Sequence, residues 1–327
     1  MVNIENKNHR ALCIIALFFA YVFISIISGF RINSGADYEN YEYYYQVIQL
    51  SNYSIIYEPL FYMVFKLSSS FNLALFIIAL ITNMLIFVYS IKYVKYSIFF
   101  FLLLVLSDVF LAQFNIIRQT LAFSFLLFFV KSFEDRQIRN SIIFSLLAVC
   151  SHYGAIFLII GCVLIRLVKF KQSYYVIISI MMMFFSLFGL VNIFAPIIID
   201  IMPSKYSNYS GAFSSGEFEF SLRYVVEYLL VLLVLWGSGG KRKFNLSVIM
   251  VGFIIIFMAM SFPIMYRLAY YFIFFKIVYF AKVIECANNT INKWFLLSII
   301  LLFYMLLAYL NIENNAFSIF PYSNLYL

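Results

Sequence analysis

The chain alternates long apolar runs with short polar interruptions, and the runs are apolar on every face. Ala11 to Phe30 and Trp294 to Leu310 lack the polar stripe that a helix at a water-facing surface carries. A helix hydrophobic all round belongs in lipid or deep in a bundle, and only helices and closed barrels satisfy their own backbone in hydrocarbon. A barrel would show segments of about ten residues in strict alternation, and none is present, so the pattern predicts an all-α polytopic membrane protein. Matching the runs to hydrocarbon thickness predicts eleven spans, at 11–30, 71–91, 97–114, 118–131, 140–152, 154–168, 174–198, 224–239, 246–262, 266–281 and 294–310.

Polar positions set the breaks between runs. Several runs fall short of the roughly 20 residues a straight span needs, notably 118–131 and 140–152. If 97–131 were one helix, Arg118 would sit at bilayer depth and cost several kcal/mol. A turn at Asn115–Arg118 places it at the surface instead, and a second turn at Ser151–Gly154 does the same beside His152. The stretch from Pro59 to Leu67 is half apolar and too short to span. It reads as an interfacial helix lying on the membrane, with Pro59 in the first turn and Glu58 just before it.

Composition supports lipid as the solvent. Of 327 residues, 65% are hydrophobic and only 11% charged, with mean hydropathy +0.98, where a soluble chain keeps roughly a quarter charged. The net charge of +8 raises the question of nucleic acid, but the basic residues lie between apolar runs rather than on one soluble face, which argues against such a partner. Lys and Arg collect on cytoplasmic loops, and with the N-terminus inside, sixteen of the 22 fall there: Lys7, Arg10, Lys92, Lys95, Lys131, Arg136, Arg139, Arg166, Lys169, Lys171, Lys241, Arg242, Lys243, Lys276, Lys282 and Lys293. The external set is Arg31, Lys66, Arg118, Lys205, Arg223 and Arg267, and the C-terminus lies outside. Lys7 and Arg10 precede an apolar run too long for a signal peptide, so the first span is expected to be retained. Cys13, Cys150, Cys162 and Cys286 sit in or beside apolar runs without metal-type spacing.

Two external segments are long enough to do chemistry, about 31–70 and 200–223, in a chain that otherwise reads as one membrane domain over 1–327. The first holds Asp37, Glu39, Glu42, Glu58 and the tyrosines Tyr38, Tyr41, Tyr43, Tyr44 and Tyr45. The second is rich in Ser, Gly and Tyr and is expected to be a loop or lid. Arg31, Arg118, Arg223 and Arg267 mark external span ends. A guanidinium fork grips phosphate or carboxylate bidentately, which suggests a cationic pocket for a lipid-linked diphosphate or an acidic sugar; the structural alternative is snorkelling to headgroups. His152 reads equally as a hydrogen-bonded structural residue and as a base or phosphate ligand. Asp37 heads the general-base candidates, and the neighbouring tyrosines fit either sugar stacking or the interfacial belt. Asp108 and Glu227, inside spans, read as packing positions, although Glu227 lies near Arg223. Two histidines without a carboxylate cluster argue against catalytic zinc, and no nucleotide-binding motif is present.

Arg31-x5-Asp37-Tyr38-x2-Tyr41, Glu58-Pro59-Leu60-Phe61, Arg118-Gln119, His152 after a short span, Arg267 followed by Tyr270-Tyr271-Phe272, and Pro321-Tyr322 together resemble the EpsG-like family of Wzy-type polysaccharide polymerases. The resemblance covers nearly the whole chain, with Gly35-Ala36 standing where the family carries Gly-Thr. It implies a GT-C-like bacterial inner-membrane glycosyltransferase, free of cofactor and metal, that joins undecaprenyl-diphosphate-linked oligosaccharides into O-antigen, capsule or exopolysaccharide. The implied partners are those lipid-linked sugars, membrane lipids, and chain-length-regulator and flippase proteins. On this reading Arg118 and Arg267 hold the diphosphate, with Arg223 or Arg31 assisting, and Asp37 or His152 is the base. Tyr38, Tyr41, Glu58, Gln119 and Tyr270 complete the expected substrate contacts. A flippase for the same lipids is the alternative from another class, and an O-antigen ligase or other GT-C transferase is the nearer one.

Overall fold

The computed structural model describes residues 7–50, 58–190, 221–237, 243–260, 265–286 and 290–324. The fold is all-α apart from one pair of two-residue strands. Among the described residues three helices are long and apolar enough to cross a membrane, or four if one bent pair counts as a single span, and further apolar helices are shorter. The chain divides into two compact units, residues 1–156 with 297–327, and residues 157–296.

In the first unit, α1 (Lys7–Gly29) packs along α4 (Phe71–Tyr93), and α7 (Ile117–Glu134) lies against both α4 and α8 (Ile138–Ser151). The apolar pattern has two different outcomes here. On α1, Leu17, Tyr21 and Ile24 are buried, while Leu12, Ile15, Phe19 and Phe23 form an exposed stripe of the kind that lipid, not water, covers. On α7 nearly every residue from Ile117 to Val130 is buried, so its apolar character all round reflects a central position in the bundle. The run expected to be one span at 97–114 is instead broken. Ser107 ends α5 (Ser97–Leu106) in an extended conformation and its hydroxyl caps α6 (Asp108–Leu111) by accepting from the Val109 N–H; a 3-10 turn follows at Ala112–Phe114, and the two halves meet at 60°. A serine that caps the second helix competes with continuation of the first.

The tyrosine run after Arg31 forms a helix. Tyr38, Tyr41 and Tyr45 follow helical spacing and form one face of α2 (Tyr38–Leu50). They pack against Phe71, Phe61 and Phe65 at centroid distances of 5.3, 6.0 and 5.7 Å. Tyr43 points away, and both Tyr43 and Tyr44 are exposed. The helix expected over Pro59 to Leu67 is present as α3 (Pro59–Leu67), with Pro59 at its start. The C-terminal residues return to this segment: β1 (Arg31–Ile32) pairs antiparallel with β2 (Ser323–Asn324), the Tyr322 hydroxyl donates to Ile27 O, and the Asn115 side chain donates to Phe317 O.

In the second unit, α9 (Ala155–Val168) and α10 (Gln172–Leu187) join the helices Leu222–Gly237, Lys243–Ala259, Met265–Ile273 and Lys276–Cys286. The run expected as one span at 266–281 is two helices separated at Phe274–Phe275. Lys276 and Lys282, assigned to cytoplasmic loops on charge alone, are buried in the second of these helices. Lys276 is tolerated there because Glu227 pairs with it at 2.8 Å. The expected loop at 200–223 lies outside the described residues up to 220, as do the end of the 174–198 run and residues 261–262. The final helix, Thr290–Glu313, carries the 294–310 run.

Polar side chains inside the first bundle are paired. Asn83, at the middle of α4, exchanges two amide hydrogen bonds with Gln113 at 3.1 and 3.0 Å, both side chains being buried. Such a pair holds two segments in register where hydrocarbon offers no other partner. Asn83→Leu leaves the Gln113 amide unsatisfied and is expected to destabilise the chain by about 1–3 kcal/mol. Adding Gln113→Leu should recover most of that loss, as judged by the unfolding midpoint in detergent.

Candidate functional site

A single carboxylate organises the site. Glu58 is the residue before Pro59, and its backbone is left-handed, φ 41° and ψ 80°. A residue preceding proline is normally extended, and a non-glycine residue held in this region costs of order 1–3 kcal/mol. Surrounding contacts hold it in place. Its Oε2 accepts from Arg118 Nη1 at 2.9 Å and its Oε1 bonds to His152 Nδ1. Arg118 is the second residue of α7, and His152 follows the last residue of α8. The carboxylate therefore joins the start of α3 to the start of one bundle helix and the end of the next. Burial opposes the charge on Glu58, but the His152 bond and the Arg118 charge outweigh it and hold the carboxyl below the usual carboxylate range.

Aromatic rings surround the cation. The Arg118 guanidinium lies 5.7 Å from the Tyr41 ring, 5.9 Å from Tyr44 and 5.7 Å from Phe61, close enough for cation–π attraction. Tyr41 is buried and also hydrogen-bonds Arg118, with burial the main cause of its raised hydroxyl pKa. Arg118 keeps part of its side chain exposed, and its Nε is a buried donor without an acceptor. This is a cation held firmly with donor capacity in reserve.

Arg31 is placed differently. It is 1% exposed, and its two terminal nitrogens donate to the carbonyls of Ser28 at 2.6 Å, Phe114 at 2.8 Å and Gln113 at 3.4 Å. Burial pushes it down to about 10, so it stays charged at neutral pH. Its work is to tie the end of α1 to the turn that precedes α7. Gly35 makes the same junction tight: its φ is +102°, its N–H donates to Ser318 O, and a Cβ there would come within 2.4 Å of Phe114 O. Asp37 follows at the start of α2; its carbonyl accepts from the Tyr41 N–H and its charge acts on the Tyr41 hydroxyl. Tyr38 is buried against Phe71, and Gln119 is buried beside Arg118 on α7.

Arg223, Arg267 and Tyr270 belong to the second unit. There Tyr224 and Tyr266 stack at 5.6 Å with an interplanar angle of 28°, which brings the starts of the helices Leu222–Gly237 and Met265–Ile273 together, each with its arginine next to the stacked ring. Arg223 also lies 5.4 Å from the Tyr224 ring, Arg267 is exposed, and Tyr270 stacks on Phe274 at 5.2 Å. The structure thus unites Arg118, His152, Glu58 and Tyr41 in one unit and Arg223 with Arg267 in the other.

Sequence reasoning placed Glu58 among substrate contacts and missed that it pairs both His152 and Arg118. The available signal was the Glu-Pro step at a helix start, which fixes where the carboxylate leaves the backbone. Among the described residues no group of three His, Cys, Asp or Glu could hold a metal ion. Chemically, the cluster offers a charged donor beside an imidazole whose Nδ1 is bound to a carboxylate, which fixes the orientation of the ring.

Because the Glu58 carboxyl is held below its usual range, its stabilising contribution is complete above about pH 4–5 and is lost as pH falls through the lowered value. Unfolding midpoints measured against pH should show this loss in the native chain. In Glu58→Gln the midpoint should be lower at neutral pH, and the difference between the two proteins should shrink on acidification.

Comparison with known proteins gives a family match and nothing beyond it. The profile of the EpsG family matches residues 14–324. No curated protein and no solved structure matches the chain. The matched span contains Arg31, Asp37, Glu58, Arg118, His152, Arg223 and Arg267, and with nearly the whole sequence covered the chain belongs to the EpsG family, whose members are Wzy-type polymerases.

Proposed function

We propose that this membrane protein joins undecaprenyl-diphosphate-linked oligosaccharide repeat units at the external face of a bacterial inner membrane, as a metal-independent glycosyltransferase. The observation that carries the reading is the Arg118–Glu58–His152 cluster, a phosphate-binding side chain and a candidate base joined through one carboxylate.

The reaction asks little of the protein. A hydroxyl of the incoming unit attacks the anomeric carbon of the donor, the carbon–oxygen bond to the diphosphate breaks, and undecaprenyl diphosphate departs with the electron pair. Arg118 balances charge on the departing diphosphate, as donors placed at developing charge do elsewhere. The His152 Nε2 takes the hydroxyl proton, and Glu58 stabilises the imidazolium that forms. Arg267 and Arg223 are proposed as further ligands for anionic groups of the lipid-linked substrates, and the exposed rings of Tyr43 and Tyr44 offer faces to sugar. Arg31 positions the turn before Arg118. Chain-length-regulator and flippase proteins are the proposed partners.

The topology that suits this reaction has eleven crossings, a GT-C-like arrangement over a single domain, a cytoplasmic N-terminus and an external C-terminus. The β1–β2 pairing supports it. Strand β2 sits at the Arg31 end of α1, and 23 residues of helix separate that end from Lys7, roughly 35 Å of rise. Lys7 and Asn324 therefore lie toward opposite ends of α1, which suits an odd number of crossings.

Arg118→Ala is expected to cut transfer by about 10²–10³-fold, the loss typical of removing one donor to developing charge. Arg267→Ala should also shorten polymer ladders in a complemented strain. Ladders of native length from both variants at normal protein levels would remove the diphosphate clamp. His152→Ala should abolish elongation while lipid binding persists. An inactive Asp37→Asn beside an active His152→Ala would move the base to Asp37. A deletion strain should accumulate single repeat units on the outer face; accumulation on the inner face would point to a flippase.

A further inference from the structure

The second unit buries a carboxylate and an ammonium in contact, Glu227 with Lys276 at 2.8 Å, both fully inaccessible. Burying two charges is costly, and replacing such a pair by apolar groups is often neutral for stability. Its presence calls for a role other than holding the fold together.

Its neighbours suggest one. Glu227 lies one turn after Arg223 on the helix Leu222–Gly237, and Lys276 is the first residue of the helix Lys276–Cys286. Nearer the start of the same Leu222–Gly237 helix, Tyr224 stacks on Tyr266, the neighbour of Arg267. The helix is thus tied to the chain on both sides of the Phe274–Phe275 break. Tyr224 and Glu227 are separated by about 4.5 Å of helix rise, whereas a straight helix from Tyr266 to Lys276 would cover about 15 Å. Both contacts form across the Phe274–Phe275 break, where the helix is interrupted, and the long lysine stem covers part of the difference. Phe272, just before the break, is wedged between two glycines: a Cβ on Gly161 or on Gly252 would come within 2.7 or 2.8 Å of it. The break is packed rigidly on one side and anchored by a charge pair on the other.

We infer that Glu227 and Lys276 are positioning residues that hold the broken helix closed, so that Arg223 and Arg267 stand together at adjacent helix starts as one anion-binding pair. The role in transfer rests on the polymerase reading; the positioning does not. Neutralising one member removes this tie between the two helices. The helix Met265–Ile273 is then released from the helix Leu222–Gly237 at the break, and the two arginines drift apart.

The test is a distance measurement. Spin labels are placed at Leu222→Cys and Leu268→Cys, beside the two arginines, in a chain whose four native cysteines are replaced by alanine, and the purified protein is studied in lipid nanodiscs. With the native pair the distance distribution should be narrow. In Glu227→Gln or Lys276→Met it should broaden by several ångström; an unchanged narrow distribution in both overturns the inference. If either single variant fails to fold, Glu227→Leu with Lys276→Leu buries no charge and restores folding, and broadening there supports the inference while a narrow distribution overturns it. Polymer ladders from the same variants should shorten at least tenfold. Broadened distances with native ladders would uphold the positioning and count against the arginines' part in transfer, whereas unchanged distances with short ladders would overturn the positioning alone.

Discussion

The first unit depends on one buried carboxylate. Glu58 joins segments that are far apart in the chain, since Arg118 and His152 lie 60 and 94 residues away. A charge removed from water needs compensation on each oxygen, and here each oxygen has it. The same requirement explains the left-handed backbone before Pro59: the strain at that residue is offset by two charge-assisted contacts that an extended conformation would aim elsewhere. Once Glu58 is fixed, the starts of α3 and α7 and the end of α8 are fixed with it. Tyr41, Tyr44 and Phe61 then close around the guanidinium. Structure and chemistry meet in this arrangement because the groups that hold the helix ends together are also the groups that could bind diphosphate and accept a proton.

Much of this was legible in the sequence, for a physical reason. Apolar runs match hydrocarbon thickness, so α1, α4 and the helix Thr290–Glu313 could be placed within a few residues. The cost of burying Arg118 located the turn before α7, and the polar patch around His152 located the turn after α8. Pro59 marked the start of α3. What could not be read depends on partners distant in the chain. Ser107 breaks one apolar run at 60°, yet a single serine in such a run is also compatible with an unbroken helix. Lys276 looked like a loop residue because nothing local reveals that Glu227 neutralises it. The helical spacing of Tyr38, Tyr41 and Tyr45 was present in the sequence, but it was masked by Tyr43 and Tyr44 lying between them in the same run.

Charge in this protein has two uses. Arg31 and the Glu227–Lys276 pair are fully buried, and they position other groups: one gathers carbonyls at the end of α1 ahead of Arg118, the other sets the helix starts that carry Arg223 and Arg267. Arg118, His152 and Arg267 keep part of their surface open. Exposure separates the charged groups that position from those able to meet a substrate, a distinction that residue type alone does not make. The C-terminal strand β2 adds to the first group by pairing with β1, which contains Arg31.

A structure of the chain with undecaprenyl diphosphate bound would test the account most directly. Phosphate oxygens are expected within hydrogen-bonding distance of the Arg118 guanidinium, with the Glu58–His152 contact intact beside them. A diphosphate held elsewhere, with Arg118 directed only at Glu58 and its aromatic rings, would contradict it.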